Sequence, residues 1–300
     1  MRTAFIRSLI EHARAKPEIF LVVGDLGYSV VEPFVEEFPE RFLNAGVAEQ
    51  NMTGVAAGLA SEGYHVFTYS IANFPTLRCL EQIRNDVAYH RLPVTVVSVG
   101  AGLSYGNLGY SHHALQDIAV MRTLPEMTVL SPADPGEARG CVDWLVNHPG
   151  PSYLRLGKAG EAVLHEAGKI STVPILVAPG SSHCALVATG SILKVALEAS
   201  STLRKEGASV PVFSIPWIHP LNREDLLPLS QFRRLLVLEE HFCSGGLGSL
   251  LRELLPTGIE VVSLAVPSSV AGEVGTQDYL RQRAGLDSAG IVQAFQSGKI

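Results

Sequence analysis

The sequence predicts an α/β chain made of two doubly wound domains: a parallel-sheet domain over residues 1–165 and a smaller one over 183–300, joined by a linker at 166–182. Three observations carry this reading. Short apolar, β-branched runs alternate with amphipathic segments, the pattern of a parallel sheet covered by helices on both faces. The alternation breaks over residues 158–183, where Gly, Pro, Ser and scattered charges dominate, and then restarts. The chain has 300 residues, 47% of them hydrophobic, which is enough for two cores at ~100–200 residues per domain.

Taken in order, apolar residues at 5, 6, 9, 10 and 13 have helical spacing, and Pro17 closes that helix. The run 19–25, IFLVVGD, reads as a buried strand ending in Gly-Asp. Residues 47–62 interleave Ala and Gly with Val, Met and Leu, a tightly packed helix. Strands follow at 65–70, 92–100, 127–132 and 151–157, with helices at 77–90, 114–124 and 134–148 between them. After the break, strands are expected at 184–190, 209–216, 232–241 and 259–266, with helices at 191–207 and 245–255.

Composition narrows the function. Acidic residues outnumber basic ones by 29 to 23, a formal charge of −6. That disfavours a nucleic-acid binder, which needs a net basic face. Charged residues make up only 17% of the chain, against roughly 25% for an average domain, so part of the surface is expected to lie under another subunit. Cys79, Cys141, Cys184 and Cys243 are too far apart for a C-x-x-C motif, and reduced thiols in a cytoplasmic protein are expected. No apolar run approaches the ~18 residues of a membrane span.

In a parallel sheet, ligands sit at the carboxyl ends of the strands. Asp25, in Gly24-Asp25-Leu26-Gly27, follows the first strand and could bind a cofactor or cap the next segment. Its loop fits neither the dinucleotide nor the P-loop pattern. Glu49 opens the Ala/Gly-rich helix. It could serve as a macrodipole partner, or as a desolvated acid able to exchange protons with a heterocycle. The loop 100–113 is rich in glycine and ends in Ser111-His112-His113. Contact with a polar substrate is the favoured role for these histidines. Metal ligation is poorly supported, because no carboxylate or cysteine stands at ligand spacing.

The order and spacing of Gly24-Asp25-Leu26-Gly27, Gly46-Val47-Ala48-Glu49-Gln50-Asn51-Met52, Gly109-Tyr110-Ser111-His112-His113, Leu124-Pro125-Glu126-Met127, Ser131-Pro132-Ala133-Asp134, Leu238-Glu239-Glu240-His241 and Gly245-Gly246-Leu247-Gly248 resemble the carboxyl-terminal half of transketolases. On that resemblance, residues 1 to about 165 are a thiamine diphosphate pyrimidine-binding domain and the rest is a transketolase C-terminal-like domain. The resemblance implies that Glu49 hydrogen-bonds the aminopyrimidine ring and favours the tautomer whose nitrogen deprotonates the thiazolium carbon. It implies that Phe74 stacks on the ring and that His112 lies near the reacting carbon and the substrate hydroxyls; Asp25 by the cofactor and His113 against the substrate are expected from their positions after strands. Arg2, Ser29 and Arg155 match positions that hold a sugar phosphate. A family histidine is replaced by Gly100, and an aspartate that reads a substrate hydroxyl is replaced by Leu108, which points to a sugar of altered stereochemistry or hydroxylation.

The family's diphosphate-and-metal signature, Gly-Asp-Gly, does not occur in the chain. The resemblance therefore implies the C-terminal subunit of a split transketolase. The Mg2+ ligands would lie on an N-terminal-section partner, and two such chains would meet within an α2β2 assembly. Two rivals remain at this point. One is the β subunit of a 2-oxoacid decarboxylating enzyme, and the other is a non-catalytic regulatory subunit of the same fold.

Overall fold

Ile19–Val23 and His65–Ile71 pair in parallel, and this pair is the centre of the first sheet in the computed structural model, which describes residues 1–166 and 170–298. The strands in chain order are β1 Ile19–Val23, β2 Phe42–Asn44, β3 His65–Ile71, β4 Val94–Val99, β5 Thr128–Leu130, β6 Ser152–Leu156, β7 Ile175–Ala178, β8 Cys184–Ala188, β9 Val212–Ser214, β10 Trp217–His219, β11 Arg234–Leu238 and β12 Glu260–Leu264. The helices are α1 Arg2–Ala13, α2 Glu32–Glu37, α3 Glu49–Ser61, α4 Leu80–Gln82, α5 Asp117–Met121, α6 Pro135–Asn147, α7 Leu193–Lys205, α8 Leu247–Leu254, α9 Ser268–Ala271, α10 Gln277–Arg283 and α11 Ser288–Ser297.

The first sheet runs β10-β5-β6-β4-β3-β1-β2 and the second β12-β11-β8-β9-β7. Both are parallel except at one edge, where β10 and β7 run antiparallel to their neighbours. The helices cover both faces of the first sheet, as the alternation predicts. Phe5 and Leu9 of α1 and Ala138 and Val142 of α6 share a core with Leu21, Val23 and Phe67. On the other face, Met52, Ala56 and Ala57 of α3 pack on Val22, Val66 and Val94.

Register brings the strand ends level. Val23 lies opposite both Asn44 and Tyr69, while Val99 lies opposite Ile71 and Leu156. Residues 24–25, 44–46, 72–74, 100–113 and 157–158 therefore leave the sheet along one rim.

Three expectations need correction. The linker expected at 166–182 contains β7, which pairs with β9 at the edge of the second sheet; residues 167–169 of that linker, and 299–300 of the second domain, lie outside the described residues. The helix expected over 77–90 is wound unevenly, with a 3-10 turn at Leu77–Cys79, then α4, then a π turn at Ile83–Ala88. The second half of the chain also lends β10 to the first sheet: Trp217 lies opposite Leu130 and packs edge-on against Trp144 at 4.6 Å. The two sheets are thus tied by backbone as well as by side chains.

Candidate active site

Glu49 is the first residue of α3 and only 2% exposed. The turn leading into it is held by Asn44. The Asn44 side-chain oxygen accepts the N–H groups of Asp25 (3.1 Å) and Gly46 (2.9 Å), and its amide donates to Asp25 Oδ1 at 2.9 Å. Asp25 adopts a φ of 56° and Gly46 one of 75°, so the loop bends sharply at both points. Gly24 abuts the acid directly: a Cβ there would come within 3.5 Å of Glu49 Cγ.

Arg78, from the 3-10 turn after β3, donates from Nη1 to Glu49 Oε2 at 2.7 Å. Its guanidinium carbon lies 4.6 Å from the centre of the Phe74 ring. Phe74 in turn meets His112 edge-on, with centroids 5.1 Å apart, and His112 lies 6.5 Å from the Tyr105 ring. Lys158, just beyond β6, holds its ammonium 5.3 Å from the Tyr105 centroid. A continuous line of contacts therefore runs Glu49, Arg78, Phe74, His112, Tyr105, Lys158 along the rim of strand ends.

Burial first, then the neighbouring His113, lowers the pKa of His112. The ring is accordingly neutral near pH 7, and Ser111 Oγ lies 3.0 Å from its Nδ1. A neutral imidazole with its other nitrogen available can take up or share a hydroxyl proton. His113 has a different setting. It is wholly buried, its Nδ1 lies 2.9 Å from the Ala271 carbonyl oxygen, and its own backbone carbonyl accepts from Asn73 at 2.8 Å. It pins the histidine loop to the second domain. Its Nε2 has no partner among the described residues.

The glycines of that loop allow close approach to the second domain. A Cβ on Gly102 would collide with Glu240 Cβ, and one on Gly106 would sit 2.5 Å from the Gly275 carbonyl oxygen. Behind the loop, Arg281 donates from Nε to Glu240 Oε1 at 2.5 Å, and Gln277 bridges Ser104 Oγ and Glu240.

The resemblance-based anion set separates. Arg2 lies at the start of α1, and its charge acts on the Tyr69 and Tyr105 phenols. Ser29 is exposed with φ 63°, and its N–H donates to Glu32 Oε1 at 2.7 Å. Arg155 does not fit the role expected of it. It is 2% exposed and donates to Asp117, the Ala114 carbonyl and the Glu240 carbonyl. A guanidinium so enclosed has no face to offer a phosphate. Leu108 is 56% exposed, in a 3-10 turn.

Sequence reasoning missed Asn44, Arg78 and Lys158. Lys158 is the first residue after Gly157 at the end of a strand, a position the strand-end rule could have marked. Among the described residues, no three His, Cys, Asp or Glu side chains are grouped to hold a metal ion. No helix among them is long and apolar enough to cross a membrane.

A desolvated carboxylate at a helix start, a half-buried aromatic ring and an imidazole stand along one rim, a set of residues that could hold the flat, protonatable ring of a cofactor. Residues 1–160 match the transketolase pyrimidine-binding domain, and residues 175–291 match the transketolase C-terminal domain. An apulose-4-phosphate transketolase subunit of Phocaeicola vulgatus is 33% identical over 97% of this chain and 94% of its own length. A 6-deoxy-6-sulfo-D-fructose transketolase subunit of Clostridium sp. is 31% identical over 98% of this chain and 92% of its own. A solved split-gene transketolase, described as an inactive β4 tetramer, superposes with a TM-score of 0.86 at 33% identity, covering 99% of this chain and 96% of that one. The chain therefore belongs to the transketolase family and comprises its pyrimidine-binding and C-terminal domains.

Proposed function

We propose that this chain is the C-terminal subunit of a split, thiamine-diphosphate-dependent transketolase that transfers a two-carbon ketol unit between anionic sugars. The observation that carries the reading is the line of contacts from Glu49 through Phe74 to His112 at the strand ends. The cofactor, when bound, supplies the thiazolium carbon that carries the two-carbon unit. The protein's part is placement and proton handling.

Glu49 shares a proton with the pyrimidine nitrogen, and its burial keeps water from competing for that bond. Phe74 covers the ring face. Asp25, held by Asn44, shapes the loop beside the cofactor. His112, neutral at working pH, accepts a hydrogen bond from a substrate hydroxyl and can move its proton. Arg2 and Lys158, whose ammonium lies beside Tyr105, neutralise the substrate's anionic group, with Ser29 contributing from the loop after β1. His113 reaches the substrate only through the loop it anchors.

The partner is an N-terminal-section subunit bearing the diphosphate and Mg2+ ligands, and two copies of this chain associate in an α2β2 assembly. The two relatives named for apulose 4-phosphate and 6-deoxy-6-sulfofructose support an anionic sugar that departs from the common pentose phosphates. The four unpaired thiols suit the reducing cytoplasm.

The test is reconstitution. The chain is titrated by calorimetry with thiamine diphosphate and Mg2+, alone and with an N-terminal-section subunit, and the pair is assayed on a panel of donors and acceptors. Ketol transfer by the pair, and tight cofactor binding only in the pair, is the expected result. Release of carbon dioxide from a 2-oxoacid without ketol transfer, or micromolar cofactor binding by the isolated chain, overturns the reading.

A further inference from the structure

We infer that Arg78 is a positioning residue for Glu49: it takes one carboxylate oxygen, fixes the plane of the group and leaves the second oxygen for the cofactor ring. The inference rests on the reading of Glu49 as the ring's proton partner.

Two contacts tie the first turn of α3 to the segment after β3, and a third lies within that segment. Arg78 Nη1 donates to Glu49 Oε2 at 2.7 Å, Gln50 Nε2 donates to the Arg78 carbonyl at 3.0 Å, and the Arg78 guanidinium lies 4.6 Å over Phe74. The Phe74 carbonyl in turn accepts from Cys79 Sγ at 3.2 Å, so the turn carrying both Phe74 and Arg78 is closed on itself. A carboxylate that is 2% exposed cannot stay oriented through water, and the guanidinium supplies the missing partner. The contact is end-on. The pair makes one N–H···O bond rather than the usual two-bond fork, and nothing among the described residues bonds to Glu49 Oε1.

The arginine itself is 47% exposed. It braces the buried acid from the open side of the rim. A lysine could supply the charge but not the flat face that lies on Phe74.

The experiment is a double-mutant cycle on cofactor affinity, measured by calorimetry on the chain assembled with its N-terminal-section partner in the presence of Mg2+. Arg78→Ala and Glu49→Ala are made singly and together, with Arg78→Lys and Arg78→Gln alongside. Thermal unfolding of each isolated variant confirms that it folds, and Arg78→Gln, which keeps one donor, serves if the alanine variant does not.

Arg78→Ala is expected to weaken thiamine diphosphate binding roughly tenfold, the scale of one charge-assisted hydrogen bond. Arg78→Lys should recover part of that loss, and the double variant should bind no more weakly than Glu49→Ala. Losses that multiply in the double variant show that Arg78 acts apart from Glu49 and overturn the inference. Tighter binding by Arg78→Ala, which would mean that the guanidinium competes for the ring's seat, also overturns it, as does unchanged binding. If Glu49→Ala leaves affinity untouched, the reading of Glu49 falls. If Glu49→Ala weakens binding and Arg78→Ala does not, only the role of Arg78 falls.

Discussion

Arg155 Nε donates to Asp117 Oδ2 at 2.6 Å where the two domains meet, with the arginine 2% exposed and the aspartate fully buried. Tyr153 donates to the same carboxylate oxygen, and the arginine also reaches the Glu240 carbonyl in the second domain. Burial alone would raise the Asp117 pKa, but Arg155, with help from His241 and Tyr153, more than reverses that and holds it below its ordinary value. The pair is a structural knot between domains.

Breaking a buried pair by removing one partner leaves an uncompensated charge, which typically costs about 3–5 kcal/mol. Asp117→Asn should lower the urea midpoint by a corresponding amount. Because the folded-state pKa of Asp117 is depressed, its contribution is present above the unfolded value near ~3.9 and is lost as pH falls through the lower folded value. The wild type should therefore lose stability in acid more steeply than the variant. A midpoint unchanged by the substitution would show that the knot is energetically idle.

Arg155 shows where sequence reasoning stops. A strand arginine one turn from a glycine-rich loop has the same appearance whether it faces a substrate or a buried aspartate, and Asp117 lies 38 residues away along the chain. The fold was far more legible. Apolar runs and period-3.6 patterning placed the central strands of both sheets and most of the helices before residue 256, because burial on both faces forces apolar runs, but left α10 and α11 unplaced. It missed β2 and β10, since three residues of strand at a sheet edge carry no periodicity, and β7, whose Leu176 is 52% exposed. Glu49 and His112 stand out because an acid opens an Ala/Gly-rich helix and paired histidines close a glycine-rich loop, whereas Phe74 came from the family resemblance alone. Asn44 and Arg78 matter through contacts with residues 19 and 29 positions away, which no local pattern encodes.

On the proposed function, Lys158 takes the anion-holding role expected of Arg155. Lys158→Ala should raise KM for a sugar carrying phosphate or sulfonate about tenfold, as expected for loss of a charge-assisted contact. The effect on an uncharged analogue should be much smaller, and kcat should be largely kept. Steady-state kinetics on the reconstituted pair, with charged and uncharged acceptors side by side, checks it. Equal effects on both would remove Lys158 from the anion site.

Glu49→Gln keeps the shape of the side chain and a hydrogen bond to the ring, but not a shared proton. Loss of general acid–base assistance costs 10²–10⁴-fold, so exchange of the thiazolium C–H in the assembled complex should slow by at least ~100-fold. Quenched deuterium exchange followed by NMR measures it directly. Exchange at the wild-type rate would reduce Glu49 to a charge at the start of α3.

Glu239 supplies a pH dependence of opposite sign to that of Asp117. Its carboxylate accepts the N–H groups of Leu247 (2.6 Å) and Gly248 (3.0 Å), seating the start of α8 on the end of β11. Gly246 and Gly248 leave room for it: a Cβ on Gly246 would collide with a Glu239 oxygen. Burial pushes the Glu239 pKa up to about 7, although the two backbone donors and the charges of Arg155 and Arg252 hold it down. A raised folded value means that folding takes up a proton in this range. The stabilisation is complete below the unfolded pKa near ~4.3 and is lost as pH rises through the folded value, at up to ~1.4 kcal/mol per pH unit. Several buried histidines titrate with the reverse sign, so the wild-type curve alone does not isolate the acid. The difference between wild type and Glu239→Gln does. At pH 8 the glutamine variant keeps one acceptor for the helix start and carries no buried charge. At pH 5 it gains nothing, because the wild-type group is already neutral there. Urea midpoints should therefore shift in the variant's favour by more at pH 8 than at pH 5. A difference that stays constant across that range would mean that the two backbone N–H donors keep Glu239 ionised throughout, and that its carboxylate is a permanent cap.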